Sequence, residues 1–366
     1  MQIVENITSI KYFLDRFEII DDQYMYNVPY HDKAPNTHFR SLPTFIAEFN
    51  NCSVHTLPLL VTEDEHLITD HVWPLLHKYK HKAGKMHGLW QDWSTPTINI
   101  ELPPITKQLN GTDKFVWLPI DEESANNPWH IWIDLISKFR LLEKKGSKIF
   151  SRFIYILPNS SAYFDKVAKE MFPDLKYKVM PKGEVWRFRH LIVPSMSNHN
   201  DGVTTPPLAP WLRHFKGLFG YKKLKRNRKI YVSRENSITR KLLNAEELLM
   251  MLKGWEVVKL EEMTIKEQFK TFAEATHVLA THGAGLVNLL WCNKGTKVIE
   301  IQDPKMLHKK VYPLLSHNLD LKHKIYLANI VPINVPTGGK KLVGVKRLND
   351  LINFEINIPD LIRLLD

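Results

Sequence analysis

His277-Val-Leu-Ala-Thr-His-Gly-Ala-Gly-Leu-Val-Asn288 combines an apolar strand, a glycine turn and the start of a helix. Glycine lets the backbone approach a ligand closely, and the following helix directs free N–H groups and its positive end at the turn. A histidine at the strand end can donate a hydrogen bond to the same ligand. A tight turn that serves only packing is the alternative. We expect an anion to be surrounded by His282, Gly283, Ala284, Gly285 and Asn288.

Strands and helices alternate on both sides of this turn. Strands are predicted over 229–233, 255–260, 277–280 and 297–301, and helices over 245–252, 264–275 and 286–292. Thr264 and Glu267 have the spacing of a capping box at the start of the second helix. This alternation predicts a parallel doubly wound sheet, which binds ligands at the carboxyl ends of its strands.

The N-terminal half has a weaker pattern, which also indicates an α/β fold. Strands are predicted around 42–49, 56–62, 114–119, 150–157, 176–180 and 189–193, and helices over 129–143 and 162–171. Residues 194–212 contain prolines and a glycine, which favour a loop, and we place the domain junction there. We expect an acceptor-binding domain over 1–200, a nucleotide-binding domain over 201–345, and a closing segment over 346–366 that packs back toward the first domain.

The bulk composition fits a globular protein of two domains. A chain of 366 residues with 44% hydrophobic residues is long enough for two cores. Cys52 and Cys292 form no disulfide framework, so reduced thiols and a cytoplasmic location are expected. The start lacks a signal-peptide pattern, and no apolar run approaches the roughly 20 residues that cross a bilayer.

The net charge of +11 suggests an anionic partner. Residues 211–229 combine aromatic side chains with a run of lysines and arginines. Such a segment can contact an anionic membrane peripherally, although a solvated basic loop between domains is slightly favoured. No nucleic-acid-binding module accompanies the charge, so a nucleic acid partner is not expected.

A second polar group follows the first predicted strand of the C-terminal half. Ser233 and Arg234 leave the carboxyl end of that strand, and Arg240 and Asn244 come after a short loop. Guanidinium groups bind phosphate oxygens through planar, charge-assisted hydrogen bonds, so two arginines here can neutralise a diphosphate. A solvated loop with surface ion pairs is the alternative.

A third group lies in the N-terminal half, within Asn127-Pro-Trp-His-Ile-Trp-Ile-Asp134. The proline and the asparagine before it mark a helix start. His130 and Asp134 are four residues apart and so lie on one helix face. A carboxylate next to an imidazole fixes its tautomer and raises its basicity, as a general base requires. A His–Asp pair that only caps the helix is the more common arrangement in proteins.

Together these segments resemble glycosyltransferase family 61, whose members include plant xylosyltransferases and protein O-N-acetylglucosaminyltransferases. The resemblance covers roughly residues 115–366. Its motifs are Asn127-Pro-Trp-His130-x3-Asp134, Tyr231-Val-Ser-Arg234, Arg240-x3-Asn244-x-Glu-Glu247, His282-Gly-Ala-Gly-Leu-x-Asn288, Val298-Ile-Glu-Ile301 and the closing 356–365 segment. It implies a B-type architecture of two facing Rossmann-like domains, with a nucleotide-sugar site in the cleft between them.

The resemblance also implies an inverting transfer from a UDP-sugar, without a metal, to a saccharide or lipid-linked glycan acceptor. No Asp-x-Asp metal motif occurs in the sequence. Glu300, at a predicted strand end, is a candidate for the ribose hydroxyls, with an exposed strand-end carboxylate as the alternative. Two further hypotheses stay open: a catalytically inactive nucleotide-sugar or glycan-binding module, and a basic membrane-associating protein. Five histidines between His66 and His87 are interleaved with lysines, which favours a solvated face over a zinc site.

Overall fold

The computed structural model describes the side chains of 44–56, 59–64, 104–195, 211, 224–307, 311–333 and 351–365, apart from 121, 123, 144 and 147. Elsewhere it describes only the backbone of short strands. The chain divides into two compact units, residues 1–25 with 40–202 and residues 26–39 with 203–366. The histidine-rich region beyond residue 68, the basic residues 212–223 and residues 346–350 lie outside the described residues.

The strands up to residue 202 are mostly short. They are β1 (Gln2–Ile3), β2 (Asn6–Thr8), β3 (Phe17–Asp21), β4 (Met25–Val28), β5 (Thr37–Arg40), β6 (Thr44–His55), β7 (Leu59–Val61), β8 (His66–Ile68), β9 (Leu89–Gln91), β10 (Ile98–Leu102), β11 (Lys107–Leu109), β12 (Phe115–Trp117), β13 (Ile154–Leu157), β14 (Tyr177–Val179), β15 (Val185–Pro194) and β16 (Asn198–His199).

Most strands of the first unit form one mixed sheet in the order β14-β13-β12-β15-β6-β7-β8-β2. The four strands from β14 to β15 are parallel, whereas β6 runs antiparallel to β15. Strand β12 comes first in this parallel group and lies between β13 and β15, so the strand order reverses beside it. Helices that follow β12 therefore begin at the carboxyl edge of the sheet, where such folds place ligands.

The helices of the first unit are α1 (Glu122–Ala125), α2 (Pro128–His130), α3 (Lys138–Leu142), α4 (Ile149–Arg152) and α5 (Ala162–Met171). A π-helical turn, Ile131–Ile136, connects α2 to α3, so the helix predicted over 129–143 is confirmed with a wider turn in its middle. The strand predicted over 150–157 is wrong in its first part, where α4 lies. A short apolar run does not distinguish a buried strand from a buried helical turn.

The second unit contains the later strands, β17 (Val203–Thr204), β18 (Arg228–Val232), β19 (Trp255–Val258), β20 (Ala275–Thr281), β21 (Lys297–Gln302), β22 (Lys322–Leu327), β23 (Asn329–Pro332) and β24 (Ile352–Glu355). Its α-helices are α6 (Ala245–Met251), α7 (Ile265–Glu274), α8 (Val311–Asn318) and α9 (Ile358–Leu365). Three 3₁₀ segments, Leu260–Glu262, Ala284–Trp291 and Pro304–Met306, lie between them.

Five of these strands form a sheet in the order β19-β18-β20-β21-β22, and every pair in it is parallel. The prediction of a parallel α/β sheet is confirmed. Strand β18 comes first in the chain, β19 lies on one side of it and β20 on the other. The switch point of the sheet is thus between β18 and β20, at their carboxyl ends.

Helix α7 begins with the cap that the sequence predicts. Thr264 accepts a hydrogen bond from the N–H of Glu267, whose side chain bonds back to the N–H of Thr264, so the predicted capping box is confirmed. The predicted helix over 286–292 is instead a 3₁₀ helix that starts at Ala284. Its residues from Leu286 onward are buried, and Trp291 stacks on Phe269 of α7 with ring centroids 4.2 Å apart, so tertiary packing constrains this segment.

The described closing residues, 351–365, belong to the second unit. Phe354 of β24 and Leu361 of α9 are buried in the core beside Leu248 and Leu279. Asn244 holds both backbone groups of Ile356, accepting from its N–H and donating to its carbonyl. Apolar residues on α9 therefore complete the core over β21.

Among the described residues, the helices are all too short or too polar to cross a membrane. The described end of the basic 211–229 segment, residues 224–229, enters the sheet at β18. There Arg228 is paired with Glu256 and Glu274, and Arg226 bonds Thr296. These two arginines are part of the amino-terminal edge of the sheet.

Candidate functional site

Two predicted motifs meet at the switch point of the second sheet. Val232 pairs with Ala280 in register, so β18 and β20 end side by side. The chain leaves β18 into Ser233 and Arg234, and it leaves β20 into His282 and Gly283. Ends of adjacent parallel strands at a switch point form the crevice in which doubly wound sheets bind ligands.

Arg234 lies directly against Gly283. A Cβ atom added to Gly283 would lie 2.2 Å from Nη1 of Arg234, so only glycine leaves room for the guanidinium. Nη2 donates to the carbonyl of Thr239 at 3.4 Å, and Nε is buried with no hydrogen-bond partner among the residues that the structure describes. Burial and the charge of Arg240 lower the pKa of Arg234 to about 10. A buried N–H donor without a partner is costly, and an anionic ligand would remove that cost.

Arg240 reaches the same turn from the other end of the loop. Its Nη1 donates to the carbonyl of His282 at 2.9 Å, and its N–H donates to Ile352 at 2.6 Å. Its backbone has φ = +58°, in the left-handed region that non-glycine residues rarely adopt. Two cations thus approach one glycine turn, where their repulsion favours binding of an anion.

Gly285 and Ala284 begin the 3₁₀ helix Ala284–Trp291 immediately after the turn. A Cβ atom on Gly285 would meet Cδ1 of Leu260 at 2.6 Å, so this glycine is required by packing. The first N–H groups of a helix have no partner within it and point toward the preceding turn. They add donors on the side where Arg234 lies against Gly283.

Asn288 and Asn244, predicted to contact the nucleotide-sugar, have internal hydrogen-bond partners in the structure. The Asn288 amide donates to Gln268 and to the carbonyl of Gly285, and its oxygen accepts from Trp291. Asn244 bonds the backbone of Ile356. Both side chains brace the protein backbone and its core, because each has found internal partners that the sequence pattern does not reveal. Ser233 is half-buried, and its hydroxyl accepts from the N–H of Glu235 at 3.2 Å.

Glu300, predicted to contact the ribose hydroxyls, is at an interior position of β21. Its side chain is fully buried, and both carboxylate oxygens are engaged by histidines: Oε1 by Nδ1 of His282, and Oε2 by Nε2 of His323 at 3.0 Å. These contacts bury the Glu300 carboxylate completely between strands β20 and β22. Through its contact with Nδ1, Glu300 fixes the orientation of the His282 ring.

His130 and Asp134 lie in the first unit, in the helical stretch that follows β12. Asn127 caps the start of α2 by accepting from the N–H of Trp129, as the sequence predicts. His130 Nδ1 and Asp134 Oδ2 are 2.5 Å apart, and the side chains are 36% and 18% exposed. The contact of Nδ1 with the carboxylate fixes the orientation and tautomer of the ring.

Sequence reasoning missed Lys138, which extends the four-residue spacing of His130 and Asp134. Its side chain is fully buried, and Nζ donates to the carbonyl of Pro119 at 3.2 Å. Burial lowers its pKa to about 8, and the negative charge of Asp134 partly opposes that effect. The π-helical turn before it is a deviation from regular helix that is frequent at functional sites.

Replacing Lys138 by methionine should raise the free energy of unfolding at pH 7 by about 1–2 kcal/mol, because the variant no longer buries a charge. The unfolded chain holds this lysine near its ordinary pKa of 10.5, against about 8 when folded. Between those values the unfolded state binds more protons, so the stability of the wild type rises with pH. The stability advantage of the variant therefore shrinks at high pH. Urea unfolding of both proteins at pH 7 and at pH 10 measures this difference, with Lys169→Met as an exposed control. A less stable variant at pH 7 would contradict this.

Sequence reasoning also missed His323 and Tyr312, which lie beside Glu300 and His282. His323 is two residues along the sheet from Glu300, since Val298 pairs with His323 and Glu300 with Ile325. Tyr312 of α8 packs edge-on against His282 with centroids 5.1 Å apart. The available signal was Glu300 and Gln302 at alternate positions of an otherwise apolar parallel strand, where interior positions are normally apolar.

Within the described residues, no group of three or more His, Cys, Asp and Glu side chains is arranged to hold a metal ion. Cys52 and Cys292 are both buried free thiols. Burial raises the pKa of Cys52 to about 12, which disfavours its thiolate.

Comparison with known proteins agrees with the resemblance. A curated relative, a beta-1,2-xylosyltransferase from Oryza sativa subsp. japonica, is 29% identical over 124 residues, which cover 31% of this chain and 21% of that protein. The match thus spans about a fifth of the relative's length. The model of the family described as Glycosyltransferase 61 matches residues 65–299, which is more than half of the 366 residues. The chain belongs to the glycosyltransferase 61 family.

Proposed function

We propose that the protein is a glycosyltransferase that moves a sugar from a UDP-sugar to a hydroxyl group of a saccharide acceptor. The observation that carries this proposal is the packing of Arg234 on Gly283, with Arg240 bound to the carbonyl of His282, at the switch point of a parallel sheet. Family membership supports glycosyl transfer, and the geometry supports a site for its anionic leaving group.

Loss of UDP leaves two phosphate groups whose negative charge must be stabilised as the glycosidic bond breaks. Arg234 and Arg240 supply fixed positive charge, and the N–H groups at the start of the Ala284–Trp291 helix supply further donors. In this proposal these groups perform the charge stabilisation that a divalent metal provides in other enzymes. The mechanism is therefore metal-independent.

The other half of the reaction requires a base for the acceptor hydroxyl. His130 is the proposed base, and Asp134 holds its Nδ1 so that Nε2 can accept the proton. Direct attack by the deprotonated hydroxyl displaces UDP from the opposite face and inverts the anomeric carbon. The proposal assigns the base to the first unit and the leaving-group site to the second.

The donor sugar is proposed to be xylose, N-acetylglucosamine or a similar sugar. The named activity of the rice relative, beta-1,2-xylosyl transfer, supports placing xylose first. A role in polysaccharide or glycan assembly follows from a saccharide acceptor. If the acceptor is linked to a lipid, the basic 211–229 segment would suit peripheral contact with an anionic membrane.

A donor panel tests this function. The chain is incubated with UDP-xylose, UDP-N-acetylglucosamine and UDP-arabinose, each with oligosaccharide acceptors, and UDP release is measured together with the anomeric configuration of the product. We expect acceptor-dependent UDP release with one donor, a product of inverted configuration, and no loss of rate in EDTA. GDP- and CMP-sugars serve as control donors. UDP binding without transfer to any acceptor would favour an inactive nucleotide-sugar-binding module.

A further inference from the structure

The backbone of Arg240 is in the left-handed conformation, with φ = +58°. The other two described residues with positive φ that are not glycine, Asn51 and Asp320, are of the types that tolerate this conformation best. An arginine has no such tolerance, so a contact from elsewhere in the protein must hold it there. Backbone outliers of this kind cluster at functional sites, where the surrounding structure enforces them.

The closing strand β24 supplies the enforcing contacts. The N–H of Arg240 donates to the carbonyl of Ile352 at 2.6 Å. Phe354 donates its N–H to the carbonyl of Lys241, and its own carbonyl accepts from the N–H of Leu243, both at 2.8 Å. The end of the loop after β18 therefore lies along β24 and is bonded to it at each step.

Strand β24 is itself firmly held. It pairs antiparallel with β23, with Phe354 opposite Ile330. The Phe354 side chain is fully buried in the core beside Leu248 and Leu279. A strand that is fixed by both backbone pairing and core packing can impose a conformation on a loop that precedes it by 112 residues.

Asn353 adds a side-chain contact to this pairing. Its Oδ1 accepts from the N–H of Lys241 at 3.0 Å. That N–H belongs to the peptide group after Arg240, which turns with ψ, whereas the N–H bonded to Ile352 belongs to the peptide group before it, which turns with φ. The two hydrogen bonds therefore hold both backbone angles of Arg240. The same backbone carries the guanidinium, whose Nη1 donates to the carbonyl of His282 at 2.9 Å.

We propose that Asn353 is a positioning residue, which holds Arg240 in the conformation that directs its guanidinium at the glycine turn before UDP binds. This inference rests on the proposed function, because it takes the ligand of Arg240 to be the diphosphate of UDP. When only a fraction of the molecules has the binding-competent conformation, the apparent Kd rises by the inverse of that fraction. Asn353 keeps the fraction high, so less of the binding energy is lost in ordering the loop.

A double-mutant cycle tests the inference, with UDP affinity measured by isothermal titration calorimetry. Asn353→Ala should weaken binding about threefold to tenfold, the effect of one neutral hydrogen bond. Arg240→Ala should weaken it about tenfold to a hundredfold, since a charged donor is lost. The double variant should match Arg240→Ala within about twofold, because Asn353 acts through Arg240. A merely structural role of Asn353 would weaken binding in both backgrounds.

The closing segment provides a matched control, Asn357→Ala. The Oδ1 of Asn357 also accepts a backbone N–H at 3.0 Å, that of Asp360 at the start of α9. This variant removes the same kind of bond from the same segment, but the bond caps a helix and does not hold Arg240. Affinity for UDP should stay within about twofold of wild type.

The outcomes separate this inference from the proposed function. If the wild-type chain does not bind UDP, the proposed function itself fails. If it binds UDP, wild-type affinity in Asn353→Ala overturns only the inference, and so do losses that multiply in the double variant. Undiminished binding in Arg240→Ala also overturns it, since Asn353 would then have no ligand contact to position. Should Asn353→Ala not fold, Asn353→Thr is judged by the same criteria, because its β-branched side chain favours a strand and its shorter hydroxyl withdraws the acceptor.

Discussion

Replacement of His130 by alanine should lower kcat about 10²–10⁴-fold, the usual contribution of a positioned general base. His130 is held by Asp134 at 2.5 Å and remains partly exposed, as a residue that meets an acceptor must be. Affinity for UDP should stay within about twofold of wild type, because the proposed leaving-group site belongs to the other unit. Steady-state transfer assays and calorimetry with UDP measure the two effects.

The chain offers a matched control for His130. His190 is also partly exposed and also paired with a carboxylate, Glu48, at 2.9 Å. His190→Ala should leave kcat close to the wild-type value. Asp134→Asn should retain binding but reduce kcat less than His130→Ala, since it changes the tautomer and basicity of a base that is still present. Unchanged turnover in His130→Ala would remove it from the mechanism and leave the site on Arg234 and Gly283 untouched.

Replacement of Arg234 by alanine should lower kcat/KM about 10²–10³-fold, the range found when one preorganised donor to a developing negative charge is lost. Its Nε is buried and bonds none of the described residues, and its guanidinium lies on the glycine turn. Arg234→Lys should recover only part of this loss, because an ammonium cannot reproduce the planar fork of donors. Arg363→Ala, which removes an exposed arginine of α9, is the control.

A second variant tests the same geometry without removing the arginine. Gly283→Ala places a methyl group where Nη1 of Arg234 now lies, so the guanidinium must move. We expect kcat/KM to fall at least about tenfold, since small displacements of positioning groups are costly. Gly111→Ala is the matched control, because the nearest atom to its added Cβ is 4.0 Å away. Full activity of Gly283→Ala would show that Arg234 is not used where it lies.

Local signals predicted the second unit well. Between Arg228 and Gln302, short apolar strands alternate with helices, and the strands pair in one sheet whose apolar residues are largely buried. Thr264 and Glu267 cap α7 through contacts only three residues apart, so the sequence contains all the information needed. The Gly283 turn was also predictable, because a strand, a glycine and a helix start define its direction without reference to distant residues.

The first unit and the closing segment were harder because their partners are distant in sequence. The long strand β6 pairs antiparallel with β15, about 140 residues later, and no local sequence pattern predicts that pairing. The turn Ile149–Arg152 has the same apolar composition as a strand, yet it is helical and its Ile149 carbonyl binds the Tyr155 hydroxyl. Likewise, Phe354 and Leu361 are apolar in any context, and only the core decides where they pack.

The sequence by itself determined the parallel sheet, its glycine turn and the residue types that gather at the ends of its strands. These follow from hydrophobic periodicity and capping, which act over a few residues. Only the tertiary structure decided which of those polar residues lie at the glycine turn and which bond to internal partners. Arg234 was placed on Gly283, whereas Glu300 and Asn288 were turned inward to internal partners. The physical reason is that burial and hydrogen-bond pairing depend on neighbouring strands and helices, which the residues of one motif do not specify.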